Sequence, residues 1–212
     1  MSKDDNSVIT ILHRFTVIPG REDAYINDLW AREVKLRQRH GFKMLNAFIE
    51  TEGLPKFTWL YSYKGDIDAA EGRLKSDPEQ LALAVERNKF CMKNTRIRRV
   101  RPELMTQGTA ESIKGKTVIM RRYAITGDWK EFLDVWRRIV PFRDKYGFHP
   151  LFAVSDVEGD LFTWAFDFAG EYKDFEAAQK PYYEDPERAA LHYVADYLAD
   201  FYVTPARQLL FP

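Results

Sequence analysis

The sequence predicts an α+β fold in which one βαββαβ unit occurs twice and the two sheets close on each other as an internal pseudo-dimer. Three observations carry this. Ile26–Phe42 laid without a gap over Phe132–Phe148 is identical at 7 of 17 positions: Asp28/Asp134, Trp30/Trp136, Arg32/Arg138, Val34/Val140, Arg37/Arg143, Gly41/Gly147 and Phe42/Phe148. Each copy is followed by an acidic residue and glycine (Glu52-Gly53, Glu158-Gly159) and then by Phe-Thr-Trp, at 57–59 and 162–164. Further on, Asp77-Pro78 is matched by Asp185-Pro186. A repeat of this length within a 212-residue chain means two similar halves.

The elements are laid out in order along the chain. Residues 8–17 alternate, with Ile9, Ile11, His13, Phe15 and Val17 on one face, as in a half-buried strand. Pro19-Gly20 ends it, and a helix is predicted over 22–39, acidic in its first turn and basic towards its end, with Gly41 as its C-cap. Residues 43–51 and 57–63 form a hairpin about the turn at 52–55. Residues 66–94 are helical in two pieces broken at Asp77-Pro78, where proline fits the first turn of a new helix. A short strand at 96–101 is stopped by Pro102.

Residues 104–116 lack periodicity and read as a linker between domains at 1–103 and 117–212. The order then repeats: a strand at 118–125, a helix at 130–145, a hairpin at 151–168, helices at 173–179 and 187–202, and a last strand at 207–211. Pro141 stands where the first copy has Lys35, and is expected to bend or shorten the second half's first helix. Each half is thus a ferredoxin-like unit, with helices on one face of an antiparallel sheet and the other face needing cover.

Composition narrows the function. Lysine plus arginine equals aspartate plus glutamate at 32 each, so a nucleic-acid partner, which needs a basic surplus, is not expected. The first seven residues show no signal-peptide pattern, and no apolar run approaches the roughly 18 residues of a membrane span, so a cytoplasmic protein is expected. Cys91 is the single cysteine and reads as a small buried thiol. There is no glycine-rich phosphate loop, no G-x-S-x-G and no H-E-x-x-H; no nucleotide cofactor and no metal are expected.

Chemistry is expected where polar groups face an interior. His13 points to the apolar side of the first strand, and Arg121 holds the matching position in the second half. Each must be paired or meet a ligand. Structurally, His13 would bond a backbone carbonyl and Arg121 a helix carboxylate; functionally, His13 would be a general acid/base and Arg121 an anion anchor. The aromatic stripe Phe57, Trp59, Tyr61, Tyr63 of the first half becomes Phe162, Trp164, Phe166, Phe168 in the second, so the first half alone keeps two phenols. The pocket is therefore expected in the first half. His13, Tyr61 and Arg121 are the catalytic candidates, with Phe15, Trp59, Tyr63, Tyr123 and Trp164 lining substrate. His192 lies off the apolar face of its predicted helix and reads as solvent-facing, His40 and His149 flank the Gly-Phe corners, and 180–186 reads as a lid over the second half or as a plain connection. Arg14 and Arg122 match on the opposite face and read as barrel-closing ion pairs or as the floor of a central cavity.

The succession of strand, Pro-Gly, W-x10-G-F, aromatic hairpin, D-P, helix and arginine-ended strand resembles the NIPSNAP family of the dimeric α/β-barrel superfamily, twice over. The resemblance implies the barrel fold, with Trp30/Trp136, Gly41/Gly147 and Asp77/Asp185 as packing and turn positions, and brings no catalytic residue. It also implies kinship with cofactor-free monooxygenases and cyclases of polycyclic aromatics and with haem-binding enzymes, whose pockets lie between sheet and helices. The expected function is a cofactor-independent oxygenation, cyclisation or isomerisation of a hydrophobic or aromatic metabolite, by a monomer or homodimer. The alternatives are a non-catalytic module binding a ligand or protein, and a haem protein using His192 or His13.

Overall fold

The computed structural model describes residues 7–212; most of the stretch read for a signal peptide lies outside them. Strands β1 (Val8–Thr16), β2 (Lys43–Glu50), β3 (Lys56–Lys64), β4 (Arg96–Met105), β5 (Lys116–Ile125), β6 (His149–Asp156), β7 (Leu161–Ala169) and β8 (Leu198–Leu209) form a closed antiparallel barrel in the order β1-β3-β2-β8-β5-β7-β6-β4. The chain divides into two compact units: Met1–Arg101 with Gln208–Pro212, and Pro102–Arg207. No helix among the described residues is long and apolar enough to cross a membrane.

In the first unit β1 pairs with β3 so that His13 lies opposite Trp59 and Phe15 opposite Phe57. The helical segment behind them runs through α1 (Glu22–Ala24), a π-helical stretch at Tyr25–Trp30 and α2 (Ala31–Arg39). It presents Trp30, Val34 and Arg37 inward, with Trp30 edge-on to Phe57 at 5.4 Å between ring centroids. After β3 come two ten-residue helices, α3 (Ile67–Ser76) and α4 (Pro78–Arg87), which add Ile67, Ala70, Leu74 and Leu83 to the core. Phe211 packs on Trp30 at 5.5 Å, and Gln208 donates to Asn46 at 2.9 Å.

The second unit repeats the register, with Arg121 opposite Trp164 and Tyr123 opposite Phe162. Its first helix, α6 (Trp129–Lys145), is a single run of 17 residues capped by Asp128. The shortening expected at Pro141 is absent. The proline lies within the helix on an exposed position, and the irregular turn falls in the proline-free copy instead. Trp136 meets Phe162 at 5.0 Å, as Trp30 meets Phe57.

Three other expectations change. The first is the linker, which contains one helical turn, α5 (Ala110–Ile113), closed by a Thr109/Ser112 capping box. Secondly, β4 continues through Pro102 to Met105 instead of stopping there, since the fixed φ of proline suits extended backbone. Thirdly, the helix expected over 187–202 does not form. The segment after β7 is a string of short pieces: a 3-10 turn (Tyr172–Asp174), α7 (Phe175–Ala178), α8 (Lys180–Glu184), α9 (Pro186–Ala189) and a 3-10 stretch (His192–Tyr197). From Leu198 the chain is β8. Phe201-Tyr202-Val203-Thr204 is aromatic and β-branched, and Thr204 precedes a proline, which disfavours helix.

The repeated Asp-Pro has the turn role expected of it. Asp77 accepts from the Glu79 amide at 2.8 Å and holds His40 at 2.9 Å. Asp185 accepts from the amides of Glu187 and Arg188, from Lys145 Nζ at 2.7 Å and from the Tyr146 hydroxyl at 2.9 Å. The bond from Lys145, with the others, holds the Asp185 carboxyl well below the usual carboxylate range.

Candidate functional site

A cavity of about 520 Å³ opens in the second unit. Arg121 and Tyr123 of β5 and Trp164 of β7 form the sheet wall, and Trp136, Ile139 and Arg143 of α6 face them. Tyr182 and Tyr183 of α8, Arg188 of α9, and His192, Val194 and Leu198 also line it. The sequence puts these groups here by period. Alternation sends Arg121 and Tyr123 to one side of β5, while Trp136, Ile139 and Arg143, spaced three and four apart, share one helix face. Asp185 caps α9, which fixes the turn carrying Arg188.

Three arginines and no carboxylate line this cavity. Among the described ion pairs none includes Arg121, Arg143 or Arg188. Arg143 is 1% exposed. It lies over the Tyr182 ring at 3.7 Å and donates from Nη2 to the Tyr183 hydroxyl at 3.2 Å, but its Nε and Nη1 are buried without a partner. The Nε of Arg121 and the indole N–H groups of Trp136 and Trp164 are in the same condition. Burial, opposed by Tyr182 and reinforced by Arg121, lowers Arg143 from its ordinary value, as befits a desolvated cation without its anion. Arg188 Nε is hydrogen-bonded to the Tyr182 hydroxyl.

Tyr183 is the responsive group. Burial alone raises a phenol, yet the guanidinium groups of Arg121 and Arg143 outweigh it and hold Tyr183 below the ordinary tyrosine range. The site therefore combines a cationic wall, an acidified phenol and aromatic surfaces.

The structure separates the sequence-predicted residues into two groups. Arg121, Tyr123 and Trp164 share the cavity. His13, Phe15, Trp59 and Tyr61 lie in the core of the first unit, all 4% exposed or less. The expectation of a pocket in the first half is thereby corrected: the cavity lies in the second, and His13 does not reach it. His13 packs at 5.1 Å from Phe15 and 5.5 Å from Trp59 between ring centroids, with both nitrogens unpartnered, so it bonds no backbone carbonyl. Burial first, then the charges of Arg87 and Arg37, push the His13 imidazole well below its usual value. Tyr61 sits 6.5 Å from His13 edge-on, and Tyr63, partly buried, accepts from Arg73 at 3.1 Å. Nor does Arg121 form the ion pair with a helix carboxylate that was the alternative for it.

Sequence reasoning missed Arg143, Tyr182, Tyr183 and Arg188. Arg143 was visible as a repeat identity, and the two tyrosines lie in the stretch that reads as a lid. His192 is exposed as expected, yet it lines the cavity, because a 3-10 stretch rather than an α-helix carries it; its Nδ1 is 3.0 Å from the Ala189 carbonyl. Arg14 pairs with Glu50 at 2.7 Å, Lys116 with Asp167 at 3.0 Å, and Arg122 lies over the Tyr202 ring at 4.5 Å. Cys91 is buried, and burial pushes its thiol up to about 11 against the opposing charge of Arg87. No group of three or more potential metal ligands occurs among the described residues.

No family profile matches the chain, and no curated protein sequence does. Solved structures do. A "putative monooxygenase" from Fusobacterium nucleatum subsp. nucleatum ATCC 25586 matches with a TM-score of 0.63 at 12% identity, over 97% of this chain and 94% of its own. A second "putative monooxygenase", from Lactobacillus acidophilus NCFM, matches with 0.62 at 10% identity, over 95% and 94%. An anthrone oxidase-like protein matches with 0.65 at 14% identity, over 99% and 94%. At such identities the likeness establishes the fold.

Proposed function

We propose that the chain is a cofactor-independent enzyme, of the monooxygenase, cyclase or isomerase type, acting on an aromatic small molecule with an acidic hydroxyl or carboxyl group. The observation that carries this reading is the second-unit cavity, with three arginines, no carboxylate and an acidified phenol among aromatic walls. Tyr183 is the acid/base candidate: as phenolate it takes a proton from a phenolic O–H or an activated C–H. Arg121 and Arg143 then hold the resulting enolate or phenolate, and the charge develops where N–H donors already wait. Such an electron-rich anion is the reactive form for oxygenation by dioxygen, for ring closure or for proton return at another carbon. The proposed frame is two tandem ferredoxin-like halves in the manner of the NIPSNAP-like motif residues, and the kinship in fold with monooxygenase-like proteins supports the oxygenation branch.

Aerobic incubation of the purified protein with hydroxylated anthrones and related polycyclic phenols tests this by oxygen uptake and product absorbance. Turnover without added cofactor, lost in Arg143→Met, is the expected result. Failure to bind or convert any member of such a panel would overturn it and leave the non-catalytic binding module. A haem reading has one observation in its favour. With Nδ1 against the Ala189 carbonyl, His192 would hold the iron of such a group through Nε2, and Arg121 and Arg188 would hold its carboxylate groups. A Soret band on reconstitution, lost in His192→Ala, is its test.

A further inference from the structure

The donor set that lines the cavity exists twice. Trp136, Arg143, Trp164 and Arg121 of the second unit correspond by repeat and by strand register to Trp30, Arg37, Trp59 and His13 of the first. In the first unit the set is fully enclosed, with exposures of 2%, 5%, 0% and 1% in that order. Its polar atoms are nonetheless unpartnered: the indole N–H of Trp30 and of Trp59, Nε and Nη1 of Arg37, and both nitrogens of His13. These groups gather about Trp59, with the Arg37 guanidinium over its ring at 4.6 Å, the His13 ring at 5.5 Å and the Trp30 ring at 6.4 Å.

Charge matters as much as hydrogen bonding. Glu33, one turn back on α2, is the nearby acid; its Oε2 accepts from the Tyr25 hydroxyl at 2.9 Å and pairs with Arg87 at 3.5 Å, while its Oε1 is buried without a partner. Among the described ion pairs none includes Arg37, so the buried guanidinium is an uncompensated charge. Folded proteins avoid that situation, because burying a cation without an anion is strongly unfavourable. Water is a poor remedy. The two indoles and the guanidinium offer N–H groups that only donate, while one water has two lone pairs and carries no charge.

We propose that the first unit holds a second binding site, for one small anion of halide, nitrate or formate size, formed by Arg37, Trp30, Trp59 and His13. It is separate from the cavity of the second unit. The aromatic walls that close it exclude an aromatic guest and admit a compact one.

The test uses the full chain, purified in chloride-free buffer with a bulky organic counter-ion, and bromide as the probe. Crystals soaked in bromide should give an anomalous peak within hydrogen-bonding distance of Arg37 and the Trp59 indole. Bromide should also raise the melting temperature saturably in solution. Arg143→Met should keep that rise, and Trp59→Phe, which keeps an aromatic ring but removes the indole N–H, should weaken the apparent affinity about tenfold. A peak in the first unit, alone or with one in the second, supports the site when Trp59→Phe weakens the saturation. No peak there, or a saturation curve unchanged by Trp59→Phe, overturns it. Neither outcome bears on turnover in the second unit, so the two proposals fail separately.

Discussion

The two units carry matching tryptophans and arginines, yet those of the first are enclosed in its core and those of the second line a cavity. The difference lies in the chain beyond the hairpin. In the first half two regular ten-residue helices press Ile67, Ala70, Leu74 and Leu83 onto the sheet. In the second half the same stretch of chain is broken into five short pieces, and its tyrosines and arginine line space instead of closing it. Pro181 is one cause. With Pro186 it gives the second half two proline-initiated turns where the first has one. A site can therefore be opened over a sheet of matching register by breaking up the helices that cover it.

The sharpest way to break this comparison is to remove the groups that differ in use. Tyr183→Phe should lower turnover by about 10²–10⁴, the span of general acid–base catalysis, and abolish the acid limb of the pH–rate profile. That limb arises because the depressed phenol must lose its proton to act, so activity rises with pH through its titration. Tyr61→Phe in the first half should leave turnover within about twofold. If instead Tyr61→Phe or His13→Phe silences the enzyme, the working site is in the first half. Arg143→Met should weaken binding of an acidic aromatic by about a hundredfold, the loss of one or two charge-assisted hydrogen bonds, as read by calorimetry.

Helix substitutions extend the comparison to stability. Lys35→Pro, which copies the second half's proline into α2, should cost about 3 kcal/mol in chemical denaturation. Pro141→Ala should gain about 1–3 kcal/mol, since α6 already runs through the site. The smallest effect belongs to His13. Its folded imidazole lies below the unfolded value of about 6.5, so the unfolded chain takes up the proton first as pH falls. Native stability should then decline below about pH 6.5, by at most about 1.4 kcal/mol per pH unit, and His13→Phe should flatten that decline.

Much of the framework was legible because period and punctuation are local. The Trp–Gly-Phe repeat, the strand alternation of 8–17 and the capping aspartates each declare themselves within a few residues. Residues 187–202 did not, because apolar spacing there satisfies a helix, and only the aromatic and β-branched run at 201–204 and the proline at 205 argue for the strand that begins at Leu198. The site was half legible for a related reason. Arg121 and Trp164 follow from strand alternation, but whether a polar group on the inner face meets space or a neighbour depends on the cover. His13 and Arg121 are equivalent by pattern and differ only in what α3 and α4, or their broken counterparts, lay over them.

The allocation of the last described residues to the first unit has a consequence for biosynthesis. Gln208 and Phe211 complete a unit whose other residues end at Arg101. A ribosome adding about 5–20 residues per second emits roughly another hundred residues before that tail emerges. For those seconds the nascent first half lacks the Phe211 ring that packs on Trp30.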